Sequence, residues 1–197
     1  MHIKEEVSNT LIIEKSRFIA YLNHFDNEED YRNYLGQIRK KYYDASHVCS
    51  AFICHNIKRS SDDGEPAGTA GAPILGVLEK NNLTDTCAIV VRYFGGIKLG
   101  AGGLIRAYSS AVSEALKKGE LVETYLFPKY SITLDYETSN RLRKLLENKS
   151  ILLNTEYDEN VTFTFVLEDK SVIENIKEIT RGLEPTYIAD ELIEKVL

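Results

Sequence analysis

The residues best placed to do chemistry in this 197-residue chain lie in two glycine-rich runs. Nine of the twelve glycines fall between Gly64 and Gly103, and eight of these nine lie in two runs that span residues 59–73 and 90–108. Glycine gives access to positive φ and to close backbone contacts, at an entropic cost that ordinary loops avoid. Each run ends where the sequence pattern predicts a helix, and helix N-termini attract anions. We therefore expect function to reside in these runs.

The second run consists of a predicted strand, a glycine loop that contains Lys98, and a predicted helix that contains Arg106. It is not a P-loop, because Ala101 stands where that motif requires lysine. It is not a dinucleotide fingerprint, because Ile105 stands at the third glycine position. Exposed amides and two cations could hold a phosphate or a nucleic-acid backbone, unless the glycines only allow the helix to pack closely on the sheet. The candidate anion- or nucleic-acid-binding residues are Arg92, Tyr93, Gly95, Gly96, Lys98, Gly100, Gly102, Gly103 and Arg106.

The first run combines carboxylates with hydroxyls and is a candidate second loop of the same site. Such groups can hold magnesium or transfer protons. The alternative is a turn-and-cap loop, in which Asp-Gly forms a turn and the side chains satisfy free backbone amides. Because loops at strand ends gather at one edge of a sheet, we expect the two runs to meet on one surface. The residues concerned are Ser60, Ser61, Asp62, Asp63, Glu65 and Thr69; no catalytic residue, metal ligand or cofactor is assigned.

His47 and Cys49 share one face of a predicted strand, where they could ligate a metal ion. A buried structural pair is favoured, because no further His or Cys cluster completes a site. The three cysteines are odd in number and lack CxxC spacing, which indicates reduced thiols in a cytosolic protein. Tyr93 and Phe94 could stack on bases, although core packing is an equally good interpretation of Phe94.

The charge of the chain is unevenly distributed. Residues 1–129 have a net charge of zero, and residues 130–197 carry the whole net charge of −6. Within the first part, residues 86–118 have a local net charge of +4. The negative net charge of the whole chain opposes non-specific nucleic-acid binding. Because residues 86–118 are locally positive, we expect any anionic partner to bind there. The longest apolar run, at 87–91, is far too short for a membrane span, and the polar, acidic N-terminus is unlike a secretory signal. These features predict a cytoplasmic protein without a membrane partner.

The pattern of elements predicts an α+β chain of two domains. Residues 86–94 read as a nearly all-apolar, central strand, and Pro73 fits the first position of a short helix. The pattern restarts between residues 124 and 130. From there the order β-α-β-β-α-β indicates a ferredoxin-like domain over residues 130–197.

Four segments of the chain carry a family resemblance. They are residues 15–20 (KSRFIA), 45–51 (ASHVCSA), 60–71 (SSDDGEPAGTAG) and 91–100 (VRYFGGIKLG), the last continuing to Tyr108. On these motifs the chain resembles the IMPACT family, and in particular its bacterial YigZ-type members. One position departs from the pattern, because Ala67 stands where serine is expected, which weakens any role for a hydroxyl there.

The resemblance implies an N-terminal α/β sandwich of the ribosomal-protein domain 2-like class over residues 1–125. It also implies a C-terminal domain, residues 130–197, like domain V of elongation factor G. Eukaryotic relatives regulate translation by blocking the activation of an amino-acid-starvation kinase, and the family supplies no established enzymatic reaction. Since that partner system is eukaryotic, only a link to translation carries over.

Two functional hypotheses follow. The first is a non-enzymatic, translation-linked factor that contacts a ribosome, an RNA or a translation-associated protein through the glycine-rich basic surface. The alternative is an enzyme acting on a phosphorylated small molecule, with the carboxylates of the first run opposite Lys98 and Arg106. Carboxylates that cap backbone amides would favour the first hypothesis, whereas carboxylates that converge on an ion would favour the second. The sequence does not specify the oligomeric state.

Overall fold

The computed structural model describes residues 1–197 and divides into two compact units. One comprises Met1–Glu123 with Val196–Leu197, and the other comprises Thr124–Lys195. The first unit contains β1 (His2–Ile3), β2 (Val7–Ile13), β3 (Ser16–His24), α1 (Glu28–Lys41), β4 (His47–Cys54), β5 (Ile57–Ser61), α2 (Gly71–Lys80), β6 (Thr86–Tyr93), α3 (Gly100–Leu116) and the start of β7 (Leu121–Leu134).

An antiparallel sheet in the order β2-β3-β6-β4-β5 forms the middle layer of the first unit. Helices α2 and α3 cover one face, where Val90 of β6 packs in a core with Ile74 and Tyr108. Helix α1 covers the other face, where Ile89 and Val91 pack with Tyr31. The predicted central position of β6 is confirmed: apolar side chains on both faces of the strand are buried between helices.

Two local predictions about the first glycine run are wrong. Residues 57–61 form a strand that pairs with β4, so Ser60 and Ser61 belong to a hairpin and not to a loop. Helix α2 begins at Gly71, so Pro73 is its third residue. Proline is tolerated there because the first-turn amides have no intrahelical acceptor.

The second unit continues β7 and adds α4 (Tyr136–Lys149), β8 (Ile151–Tyr157), β9 (Val161–Val166), α5 (Val172–Thr180) and β10 (Thr186–Val196). The strands lie in the order β10-β7-β9-β8, and the two helices pack against each other. A core that includes Leu142, Phe163 and Ile176 lies between helices and sheet. The predicted α+β class and the β-α-β-β-α-β arrangement are therefore confirmed. The predicted boundary at 124–130 falls inside the continuous strand β7, and independent folding of residues 130–197 remains a prediction.

Candidate functional site

The second glycine run forms the connection from β6 to α3, and it leaves the start of α3 open. Leu99 occupies the N-cap position without a capping side chain, and the first turn of α3 contains no acidic residue. The first amides of the helix therefore have no side-chain acceptor, and the helix dipole adds positive potential at this end.

Lys98 and Arg106 lie beside this helix start, and both are exposed. They line a depression of about 480 Å³. The other lining residues are Ile13, Glu14, Ile97, Leu99, Gly103, Ala107 and Ser110. Glu14 is the one carboxylate in this lining, and neither cation is engaged in an ion pair, so both charges are available to an external anion.

The turn between β2 and β3 brings one more exposed cation close to the glycine loop. The backbone of Lys15 lies against Gly95, and its neighbour Glu14 lines the depression. Arg17 follows in β3 and lies on the other face of the sheet, where its guanidinium is 4.4 Å from the centre of the Tyr93 ring. We call Lys15, Lys98 and Arg106 the basic surface. The sequence reasoning missed Lys15 as a binding residue. The available signal was a cation in a tight turn between strands, within one of the segments that carry the family resemblance.

Arg92 does not belong to the basic surface, and the prediction that it contacts an external anion there is wrong. Its side chain is only 5% exposed, and its Nη1 donates to Glu65 Oε1 at 2.6 Å. Its Nη2 donates to Ser16 Oγ at 3.4 Å. Side chains alternate along a strand, so Arg92 shares the face of Val90, which packs beneath α2 and α3. Its charge is therefore neutralised inside the protein.

Glu65 is the centre of a buried polar network beneath the glycine runs. It also accepts a hydrogen bond from the Tyr108 hydroxyl at 2.7 Å. The Cys49 thiol contacts Tyr108 Oη at 3.4 Å. Burial raises the pKa of the Tyr108 hydroxyl far above its ordinary value, and burial likewise raises the pKa of the Cys49 thiol to about 12. Both groups are therefore protonated at neutral pH and act as donors, not as nucleophiles.

His47 joins the same network at its exposed side. Its Nδ1 lies 2.8 Å from the carbonyl oxygen of Asp63, and its Nε2 lies 3.8 Å from Glu65 Oε2. His47 and Cys49 thus both contact the first glycine run, but only Cys49 is buried, and the His47 side chain is 26% exposed.

The carboxylates of the first run are engaged within the protein. Asp62 accepts hydrogen bonds from the N–H groups of Gly68, Ala70 and Gly71, so it caps the start of α2. Asp63 accepts from the Val48 N–H at 2.7 Å and from the Arg39 guanidinium at 3.2 Å. The hydroxyls have local roles or stay outside: Ser61 Oγ accepts from the Asp63 N–H, Thr69 Oγ1 donates to the Pro66 carbonyl, and Ser60 is exposed on β5. This is the turn-and-cap arrangement, in which both aspartates accept hydrogen bonds from backbone amides.

The two glycine runs are therefore connected by buried hydrogen bonds. Glu65 of the first run binds Arg92 and Tyr108, which belong to the second. Of the two rings that could stack on bases, only Phe94 is about half exposed. The Tyr93 ring is covered by Arg17, and its hydroxyl donates a hydrogen bond to Asp44. The exposed part of the candidate site is the basic surface with Phe94 beside it.

Replacing Asp62 by asparagine is expected to lower the free energy of unfolding by about 1–3 kcal/mol at pH 7, because the Gly68 N–H loses its acceptor and the other two amides lose a charged one. Partial burial acts to raise the pKa of Asp62, but the three N–H donors outweigh it and hold this pKa below its ordinary value. A lowered folded-state pKa gives stability that is present above the unfolded-state pKa and is lost as the pH falls through the folded-state value. Urea unfolding should therefore show the gap between wild type and Asp62→Asn narrowing below about pH 3.9. A gap that stays constant into that range would contradict the assignment.

The geometry defines a class of protein: an antiparallel α/β sandwich with a buried Glu–Arg network under an open helix start, followed by a ferredoxin-like unit. The family model described as the Impact N-terminal domain matches residues 14–116. The chain belongs to the IMPACT family, which confirms the resemblance found in its motifs.

Several relatives cover most of the chain. The IMPACT family member YvyE of Bacillus subtilis (strain 168) is 42% identical over 187 residues, which cover 91% of this chain and 86% of the relative. The IMPACT family member YigZ of Escherichia coli (strain K12) is 34% identical over 179 residues, which cover 86% and 88%.

Solved structures also resemble the chain. One described as "Crystal structure of an hypothetical protein" has a TM-score of 0.59 and 30% identity, covering 98% of this chain and 95% of its own. The two-domain translational regulator Yih1 aligns with 59% of this chain at 22% identity and a TM-score of 0.35. None of the five helices is both long and apolar enough to cross a membrane.

Proposed function

We propose that this chain is a non-enzymatic binding factor linked to translation, which contacts the phosphate backbone of RNA through the basic surface. One observation carries the proposal: Lys98 and Arg106 are exposed and unpaired beside an uncapped helix start, in a chain of net charge −6. Cations without an ion-pair partner, placed around free helix amides, can bind a phosphate group.

The contrast between the two glycine runs supports the same choice of partner. Both runs lead into a helix, but at the start of α2 the Asp62 carboxylate already accepts hydrogen bonds from the free amides. The start of α3 has no such group. An external phosphate at α3 would take the place that the Asp62 carboxylate has at α2.

The alternative enzyme has little support from this arrangement. It required the first-run carboxylates to face a substrate held by Lys98 and Arg106. Asp62 caps a helix, and Glu65 is buried against Arg92 and Tyr108. The basic surface therefore lacks a neighbouring acid or base from that loop.

The link to translation rests on membership of the IMPACT family, whose eukaryotic members regulate translation. A ribosome presents RNA phosphates over a large surface, so it is the partner we expect first, and with it a cytoplasmic location. Binding should be strongly salt-dependent, because each phosphate contact releases counterions.

The test is co-sedimentation of the tagged chain with ribosomes. The wild type is expected to pellet with ribosomes at low salt, and the double variant Lys98→Glu, Arg106→Glu is expected to lose at least about 100-fold in affinity, since two attractive phosphate contacts become repulsive. The melting temperature should stay within a few degrees, because neither side chain has an internal partner.

The matched control is Lys40→Glu, Lys144→Glu, which makes the same change in net charge at two exposed lysines outside the basic surface. It should bind ribosomes nearly as well as the wild type. Equal loss in both variants would mean that only net charge matters. Ribosome binding that survives in the Lys98, Arg106 variant would point to a protein contact elsewhere. No ribosome binding, together with a phosphorylated metabolite that raises the melting temperature, would favour the enzyme.

A further inference from the structure

A second group of chemically active side chains lies at the far end of β4 from His47. Cys54 ends β4, His55 follows it in the β4–β5 turn, and Asp85 directly precedes β6. The antiparallel register pairs Ile53 with Thr86, which places Cys54 next to Asp85. Seven residues of strand separate Cys54 from His47, or about 23 Å, so this cluster is distinct from the basic surface.

The three side chains converge on one point. Cys54 Sγ lies 3.0 Å from His55 Nδ1, and His55 Nδ1 lies 3.5 Å from Asp85 Oδ1. The sulfur, nitrogen and carboxylate oxygen all lie within 4.8 Å of one another. Tetrahedral zinc bonded to S, N and O donors separates them by about 3.4–3.6 Å, so small side-chain rotations would suffice.

One of these atoms accepts no hydrogen bond although it is buried. Asp85 Oδ1 has only the weaker contact with His55 Nδ1 at 3.5 Å. A buried carboxylate oxygen without a hydrogen-bond donor is costly, and a bound cation would remove that cost. The backbone that carries it is held in place, because His24 Nδ1 contacts the Asp85 carbonyl at 2.7 Å.

We propose that Cys54, His55 and Asp85 bind a single zinc ion, with water in the fourth position. A set of one thiolate, one imidazole and one carboxylate suits zinc, whereas magnesium and calcium prefer oxygen donors throughout. The His55 side chain is 75% exposed, which leaves an open side for the ion to enter and for water to bind. On binding, the thiol proton that now faces the Asp26 carbonyl passes to solvent, and sulfur bonds to the metal as thiolate.

The proposal is tested with zinc alone, added to reduced, chelator-treated protein in competition with a chromophoric zinc indicator. One equivalent should bind to the wild type, and Cys54→Ala should weaken binding by at least about 100-fold, the upper end of what even second-shell changes cost. Cobalt in place of zinc should show a thiolate-to-metal charge-transfer band that Cys54→Ala abolishes and Asp85→Asn weakens.

A matched control separates ligation from folding. Cys87→Ala removes a buried thiol outside the cluster. It should bind zinc as the wild type does. Absence of zinc binding, equal binding in Cys54→Ala, or a cobalt complex without a thiolate band would each overturn the proposal.

Discussion

Glu65→Ala is expected to lower the free energy of unfolding by about 3–5 kcal/mol, because it leaves the Arg92 charge buried without a counter-charge. Both side chains are about 95% buried, and the Tyr108 hydroxyl loses its acceptor in the same variant. The measurement is urea unfolding at pH 7, with the change in free energy taken from the transition midpoint.

A double variant distinguishes the lost pairing from lost volume. Glu65→Leu with Arg92→Met removes both charges and keeps much of the apolar bulk, so it should be markedly more stable than Glu65→Ala. A loss below about 1 kcal/mol in Glu65→Ala, the level of an exposed ion pair, would show that the network is not the structural centre of the site.

Gly95→Ala is expected to be the second severe change. A Cβ atom at this position would lie 2.0 Å from the carbonyl carbon of Lys15 and 2.2 Å from its oxygen. Both are backbone atoms of the β2–β3 turn, so no side-chain rotation relieves the clash and the loop must move. We expect a loss of free energy of unfolding at or above the upper end of the about 1–3 kcal/mol that overpacking usually costs. The proposed function adds a second expected effect: RNA binding should fall too, because the turn that carries Lys15 packs on the glycine loop at Gly95.

Gly36→Ala is the matched control. Gly36 lies within α1, and an added Cβ would meet nothing within 4 Å. Alanine is the better helix former, so this variant should gain about 0.5–1 kcal/mol. If thermal unfolding shows similar stability for the two alanine variants, the close contact at Gly95 does not exist in solution.

The sequence predicted those parts of the molecule that depend on local patterns. The β6 strand is almost wholly apolar, so its central position could be predicted. Both glycine runs lead into helices at Gly71 and Gly100, as expected. In the second unit, apolar periodicity gave the order of strands and helices correctly.

The remaining features depend on contacts between distant segments. The charge of Arg92 predicts a surface position. Arg92 lies two residues after Val90 in β6, however, so both side chains face the side of the sheet that α3 covers. Asp62 bonds amides up to nine residues away, and Glu65 bonds residues 27 and 43 positions away. No local pattern encodes such pairings. The cluster of Cys54 and Asp85 was also missed, since strand register alone brings the two together.

The salt dependence of ribosome binding tests the central claim most directly. The neutral variant Lys98→Gln, Arg106→Gln avoids new repulsion, and its affinity should be measured with the wild type over a series of salt concentrations. If both side chains contact phosphates, the slope of log affinity against log salt should fall by about 1 per contact, or about 2 in all. An unchanged slope would contradict the account, because Lys98 and Arg106 would then contact no RNA phosphate.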